Sequence, residues 1–369
     1  MNTDYSAQTI RRAYAGQLWP DEQIRQFATT ERWFPTRRVA RGRHVKELPL
    51  ALHDFSEFTF SDGERRFDLY DYLSTNRIVG LLVMHRGAIC LEHYEFSFTP
   101  DQRWMSMSMA KSISATLVGV ALHEGAITSL EDPLTRYLPG LAKGAYRDVN
   151  VRQLLSMTSG VGWNETYTDS DSERRRMLEL QIQQQPGSIL EMMSGLPKTE
   201  PPGGVWNYST GETHIVGALL KAATGSWLAD YLSEKLWQPL GMEQDAEWWL
   251  ESPGGLEVAG SGISATLRDY ARFGALLLCD GLIQGKRVLP NGWIEAAAGS
   301  TDAIPYGYMW WPLPNVESAF CARGIFGQRI YIAPRKNLLT VILSARSKPV
   351  HAEGVNDDHF FRQLLTWLT

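Results

Sequence analysis

The sequence is poor in the features that mark several common protein classes. Three cysteines occur in 369 residues, Cys90, Cys279 and Cys321. They form no CxxC or metal-type spacing, and an odd, sparse set excludes a disulfide framework. They read as reduced, mostly buried thiols. No apolar run approaches the roughly 18 residues a bilayer span requires. The opening stretch MNTDYSAQTIRRAYAGQLWPDEQ lacks the apolar core of a secretory leader. Together these absences argue against a membrane partner and make the cytoplasm the default expectation. Positive charge is not in excess either: a formal net charge of -5 leaves no footprint for nucleic acid. No HExxH or clustered histidines suggest a metal, and no serine lies in a G-x-S-x-G elbow. His214 therefore reads as structural rather than as the base of a Ser-His-Asp triad. Internal repeats and low-complexity linkers are also missing.

What is present is ordinary globular material. The chain is 44% hydrophobic and 21% charged, with thirteen tryptophans, enough for a large core. Residues 1–50 are polar with a basic run and read as an arm packed on the outside of the domain. IVGLLVMHRGAICLEHYEF carries two β-rich apolar runs about Arg86-Gly87, a hairpin signature. A helix is expected to open after Thr99-Pro100. From 125 to 256 helical signals dominate, including the strongly apolar ETHIVGALLKAAT stopped by Gly225. FGQRIYIA and NLLTVILSA return to strand, turning between Pro334 and Asn337. VNDDHFFRQLLTWL closes as a helix capped by Asn356 or Asp357. Strands at both ends and helices between predict an α+β fold, an α/β sandwich. One antiparallel sheet, built from 51–124 and 257–369, is flanked by helices, and 125–256 forms an inserted, mainly helical region.

Chemistry concentrates in WMSMSMAKSISATLVGVALHE, where Lys111 is the one charge in nineteen residues of small or apolar character. A buried ammonium is costly unless it loses its proton. Ser108-Met109-Ala110-Lys111 is an S-x-x-K, and on a helix i and i+3 share a face. A serine needs a base beside it to act as a nucleophile, and a lysine in apolar surroundings has a lowered pKa. The helix N-terminus adds N–H groups able to hold an oxyanion. Chance alone produces one S-x-x-K in a chain of this size, so further parts are required. Tyr208, in WNYSTGE just ahead of a strong helix, is a candidate proton carrier or a packed helix-entrance tyrosine. Gly324-Ile325-Phe326-Gly327-Gln328 allows close backbone approach by a ligand, or forms a β-bulge.

Ser108 to Lys111, Tyr208-Ser209-Thr210 and the Gly324 to Gln328 strand occur in the order and spacing of the penicillin-recognising serine hydrolases. That group includes class C β-lactamases, DD-peptidases, family VIII carboxylesterases and 6-aminohexanoate-dimer (nylon oligomer) hydrolases. EGAITSLEDPLTRYLPGL, VRQLLSMTSGVGW, LWQPLGME and GISATLRDYARFG resemble the family between these motifs, so the likeness spans roughly 75 to 365. WNETYTDSDSE, Trp310-Trp311 and GIFGQRIYIAP resemble the nylon-oligomer branch. The resemblance implies Ser108 as acyl-enzyme nucleophile, Lys111 as its general base and Tyr208 as proton relay to the leaving group. It further implies an oxyanion hole from the backbone N–H groups of Ser108 and Ile325, with Gln328 the alternative second donor. Tyr167 resembles a loop tyrosine closing over substrate, and Trp311 a cleft wall.

Three departures accompany the likeness. Ile325 and Phe326 stand where β-lactamases carry the lysine and threonine of Lys-Thr-Gly, which points away from antibiotics or peptidoglycan. Thr210 replaces the usual asparagine of Tyr-x-Asn. Phe326 replaces a histidine common in the nylon branch. The resulting expectation is a serine hydrolase with no metal and no cofactor, acting on small esters or linear amides. A homodimer is compatible with it. The rival readings are a β-lactamase or DD-peptidase, and a non-catalytic ligand-binding protein on the same fold.

Overall fold

The computed structural model describes residues 6–301, 303–313 and 316–368. Its main sheet has six strands: β1 (Ile78–His85), β2 (Ala88–Tyr94), β3 (Trp311–Pro312), β4 (Phe320–Arg323), β5 (Arg329–Ala333) and β6 (Leu338–Ser344). They lie in the order β3-β4-β5-β6-β1-β2, and every pairing is antiparallel. The predicted hairpin is β1–β2, turning through positive φ at Arg86 and Gly87, as a two-residue hairpin turn demands. β6 pairs with β1, from Leu338 opposite His85 to Ile342 opposite Leu81, so the two ends of the chain meet in one sheet. Both faces of the central strands are covered. Leu81 and Val83 pack with Phe360, Phe361 and Leu364 on one face. Leu82 and Met84 join the larger core on the other. Double burial explains why these strands read as unbroken apolar runs rather than as alternation.

Four helices organise the rest: α1 (Met109–His123), α2 (Thr210–Thr224), α3 (Leu267–Leu278) and α4 (Asp357–Leu368). α1 is buried from Met109 to Ala121, as an all-round apolar helix must be, and it packs against α2. α3 lies on β5, β6 and β1. α4 covers the opposite face, its entry capped by Asn356, whose side chain accepts from the Asp358 amide at 2.8 Å. Between α1 and α3 most of the regular elements are helices, with Gly225 in the left-handed conformation ending α2. The result is an α+β fold in which an antiparallel sheet is flanked by helices.

Two expectations need correction. The chain does not turn helical after Pro100. Trp104–Met105 forms a short strand beside Ile263–Ala265, and α1 begins only at Met109, with Ser108 at its N-cap. The N-terminal arm is not simply laid on the outside. Thr36–Val39 pairs with Ala246–Trp249 in a second, four-stranded sheet. Tyr14, Phe27 and Trp33 are buried in the main core. Among the described residues no helix is long and apolar enough to cross a membrane.

Candidate active site

Ser108 and Lys111 straddle the start of α1. Met107, the residue before Ser108, is left-handed at φ 43°, a strained conformation for a non-glycine side chain. The strain turns the chain sharply from strand into helix and leaves Ser108 at the rim of a cleft of about 650 Å³. One turn on, Lys111 is wholly buried. Its Nζ reaches Ser108 Oγ at 3.0 Å, Thr210 Oγ1 at 2.9 Å and the Gly260 carbonyl at 2.8 Å. Burial lowers its pKa from 10.5 to about 7, with the Glu165 carboxylate acting upward and Arg174 acting downward. The penalty of a buried ammonium is thus met by partial loss of the proton.

Tyr208 precedes α2 in a loop fixed by its neighbours. The Asn207 amide donates to the Met157 carbonyl at 2.9 Å, and Asn207 Nδ2 to the Trp163 carbonyl at 3.1 Å. The Ser209 side chain caps α2 through the Glu212 amide. The Tyr208 ring sits among Trp206, Tyr306 and Trp311, and Lys111 Nζ lies 5.2 Å from its centroid. Burial raises the phenol well above its ordinary pKa and the Glu165 charge adds to this, while the Ser108 hydroxyl acts in the opposite sense. It is therefore a neutral phenol at neutral pH, able to give and receive a proton.

Glu165 is the residue the motifs did not single out. Its carboxylate accepts from the Thr210 amide at 2.9 Å and from Tyr167 Oη at 2.9 Å. It also accepts from Trp163 Nε1 and the Thr210 hydroxyl. Buried Arg174 faces it at 3.9 Å. Thr210 is consequently bonded to both Lys111 and Glu165. Trp163 and Tyr167 are its neighbours in the chain, but Thr210, which ties it to Lys111, lies 45 residues away, so WNETYTDSDSE alone does not mark Glu165.

The opposite wall is Gly324–Gly327. A side chain on Gly324 would place its Cβ 2.6 Å from the Ser106 carbonyl and 3.2 Å from Met107 Cβ. Only glycine lets this strand approach the turn that carries Ser108. Phe326 is left-handed at φ 66° and braced by the Phe27 ring, with centroids 4.9 Å apart. Among the described residues neither the Ser108 nor the Ile325 amide donates to a backbone carbonyl. Both residues line the cleft.

Ser108, Tyr167, Tyr208, Trp311 and Ile325 all line the same cleft, with Lys111 directly beneath Ser108. The side chain of Gln328 does not join them. It is fully buried and its Oε1 accepts from the Ser344 amide at 3.0 Å, so the residue just before β5 turns inward and ties to the end of β6. Its carbonyl accepts from the Gly324 amide at 2.8 Å, so it supports the wall from behind. His214 is also buried and faces Glu251 at 3.5 Å, outside the cleft lining. A second feature escaped the motifs: Arg323, Arg329, Arg346 and Lys348 also line the cleft.

Known proteins share this plan. A model of the beta-lactamase family matches residues 72–361. The 6-aminohexanoate-dimer hydrolase of Paenarthrobacter ureafaciens is 31% identical over 301 residues, 76% of each chain. An esterase of Burkholderia gladioli is 31% identical over 155 residues, 38% of each chain. The solved structure of a Bacillus anthracis protein, described as a candidate 6-aminohexanoate-dimer hydrolase, superposes with a TM-score of 0.83. It is 24% identical and covers 99% of this chain and 97% of its own. The chain belongs to the beta-lactamase family of serine hydrolases.

Proposed function

We propose that the protein hydrolyses small carboxylic esters and linear amides through an acyl-enzyme on Ser108. The observation that carries this is the Lys111 ammonium, wholly buried, with a pKa near 7 and 3.0 Å from Ser108 Oγ in an open cleft. Neutral Lys111 takes the Ser108 proton as Oγ attacks the substrate carbonyl. The Ser108 and Ile325 amides hold the developing oxyanion. The tetrahedral intermediate then collapses, and Tyr208 hands a proton to the departing alkoxide or amine, recovering it from the Lys111 side. Water repeats the sequence on the acyl-serine and releases the carboxylic acid. The overall change consumes one water and yields acid plus alcohol or amine.

Esters and linear amides are favoured over β-lactams and peptidoglycan because Ile325 and Phe326 present no cation at that point of the wall. The 6-aminohexanoate-dimer hydrolase and esterase relatives support the same substrate range. The test compares wild type with Ser108→Ala on p-nitrophenyl acetate and butyrate, the linear 6-aminohexanoate dimer and nitrocefin. Fluorophosphonate labelling is followed in parallel. Turnover and labelling in wild type, both lost in the variant, are expected. Equal turnover by the variant would overturn the mechanism. Nitrocefin turnover matching the esters would favour a β-lactamase, and a folded wild type that neither labels nor turns over would favour a binding protein.

A further inference from the structure

Lys111 is not the only buried cation at this site. Arg174 is 3% exposed and sits in the first turn of the helix Glu173–Gln183. Its Nε lies 3.9 Å from Glu165 Oε1, too far for a hydrogen bond, and has no hydrogen-bond partner among the described residues. A buried guanidinium without a close carboxylate bond is costly. Two aromatic faces hold it instead. The guanidinium carbon lies 4.8 Å from the centroid of the Tyr14 ring and 5.9 Å from that of Tyr167, within cation–π range. Tyr167 lines the cleft. Tyr14 is fully buried and ends the helix Ala7–Tyr14 of the N-terminal arm.

The surrounding chain fixes this arrangement. The Arg174 amide donates to the Asn164 carbonyl at 3.1 Å, and the Asn164 amide donates to Glu173 Oε2 at 2.9 Å. Arg175 Nη1 donates to the Tyr167 carbonyl at 3.1 Å. Arg11 of the arm pairs with Glu179 through two bonds of 2.8 and 2.6 Å. Arg174 is therefore held against Glu165, whose carboxylate reaches Lys111 through the Thr210 hydroxyl. Burial is the main reason Lys111 holds its proton weakly. Two charges act on it besides: Glu165 works against burial, and Arg174 works against Glu165. Buried charges of this kind are little screened by solvent.

We propose that Arg174 is a positioning residue for the Ser108 centre, acting on Lys111 through Glu165 and on the cleft wall through Tyr167, and that Tyr14 makes the N-terminal arm part of this apparatus. This rests on the hydrolase reading above and adds to it two residues, Arg174 and Tyr14, that lie outside the cleft lining. With Arg174 in place the Glu165 charge is partly balanced, and Lys111 gives up its proton near neutral pH. Without it, Glu165 stands uncompensated and favours the ammonium, the form unable to accept the Ser108 proton.

The experiment follows kcat/KM for p-nitrophenyl acetate against pH. Arg174→Met keeps much of the stem and removes the charge. Its acid limb should move to higher pH by about one unit, so the loss relative to wild type is about tenfold greater at pH 6 than at pH 9. Glu165→Gln/Arg174→Met lacks both charges and should bring the limb back toward that of wild type. Tyr14→Leu should move the limb in the same sense by less, and Tyr14→Phe, which keeps the ring, should leave it in place. Should Arg174→Met not fold, the same displacement is read between Glu165→Gln and the double variant, and its absence there counts equally against the proposal. A limb that stays in place in Arg174→Met, however far kcat or the melting temperature falls, makes Arg174 purely structural and overturns the inference, while labelling of Ser108 by a fluorophosphonate keeps the hydrolase reading intact. An unmoved limb in Tyr14→Leu overturns the part given to the arm. A wild type neither labelled nor active on the ester brings down the hydrolase reading and this inference with it.

Discussion

Lys111 and Glu165 are joined through a single hydroxyl. Thr210 Oγ1 accepts from Lys111 Nζ at 2.9 Å and donates to the Glu165 carboxylate. Glu165 thereby opposes the fall in the Lys111 pKa that burial imposes. The position of the lysine's titration is a balance of desolvation against one nearby negative charge.

The first prediction concerns pH. Only neutral Lys111 can accept the Ser108 proton, so kcat/KM for a neutral ester should rise with pH to a plateau above about 7. Below that it should lose about tenfold per unit. Glu165→Gln removes a charge that favours the ammonium, so the acid limb should move to lower pH. A limb unmoved by the variant would show that Glu165 does not set the titration. Stability carries the same sign: the folded pKa lies below that of an exposed lysine. Between about 7 and 10.5 the unfolded chain therefore holds more protons, and the stability of wild type relative to Lys111→Met should rise with pH across that window.

Tyr208→Phe keeps the ring among Trp206, Tyr306 and Trp311 and removes the hydroxyl alone. It should lower kcat by about 10²–10⁴ while the melting temperature stays close to wild type. The loss should be larger for amides than for p-nitrophenyl esters, whose leaving group needs no proton. Steady-state kinetics on both substrate types gives the answer, and equal losses would remove the relay role.

Gly324→Ala tests the wall. The added methyl would sit 2.6 Å from the Ser106 carbonyl, forcing the Ile325 amide away from Ser108. A drop in kcat of about 10²–10³ is expected if one oxyanion donor is lost. Near-wild-type kcat in a folded variant would place the second donor elsewhere.

Phe27→Ala tests the arm. Its ring contacts Phe326 and Trp104, with centroids 4.9 and 5.9 Å away. Chemical denaturation should show a loss of about 3–5 kcal/mol, the usual cost of truncating a buried aromatic. Because Phe326 follows Ile325 directly, kcat should fall as well. Unchanged kcat in the folded fraction would make the arm purely structural.

Much of this was legible in the sequence. The apolar setting of Lys111, three residues after Ser108, shows in the chain itself, because burial around a short helix is local. Hairpin and helix-stop signals at Arg86-Gly87 and Gly225 are equally local, as is the doubly buried character of β1 and β6. Tyr208 and Ile325 were reached through motif order, which is a property of the chain.

Glu165 had no such mark, and Thr210 was marked only as a departure from the motif, not as the bridge between two charges. Their pairing, and the convergence of Gly260 on Lys111, depends on segments far apart in sequence meeting in space. The inward turn of Gln328 followed from where β5 begins against β6, and the burial of the arm from aromatic contacts across the whole chain. That Asp357 and Asp358 pair with Arg323, Arg329 and Arg346, while Lys348 has no carboxylate partner among the described residues, emerges only in space. Residue chemistry and local spacing lie in the linear chain. Charge balance, close backbone approach and hydrogen-bond saturation are properties of neighbours in space, which the tertiary structure alone decides.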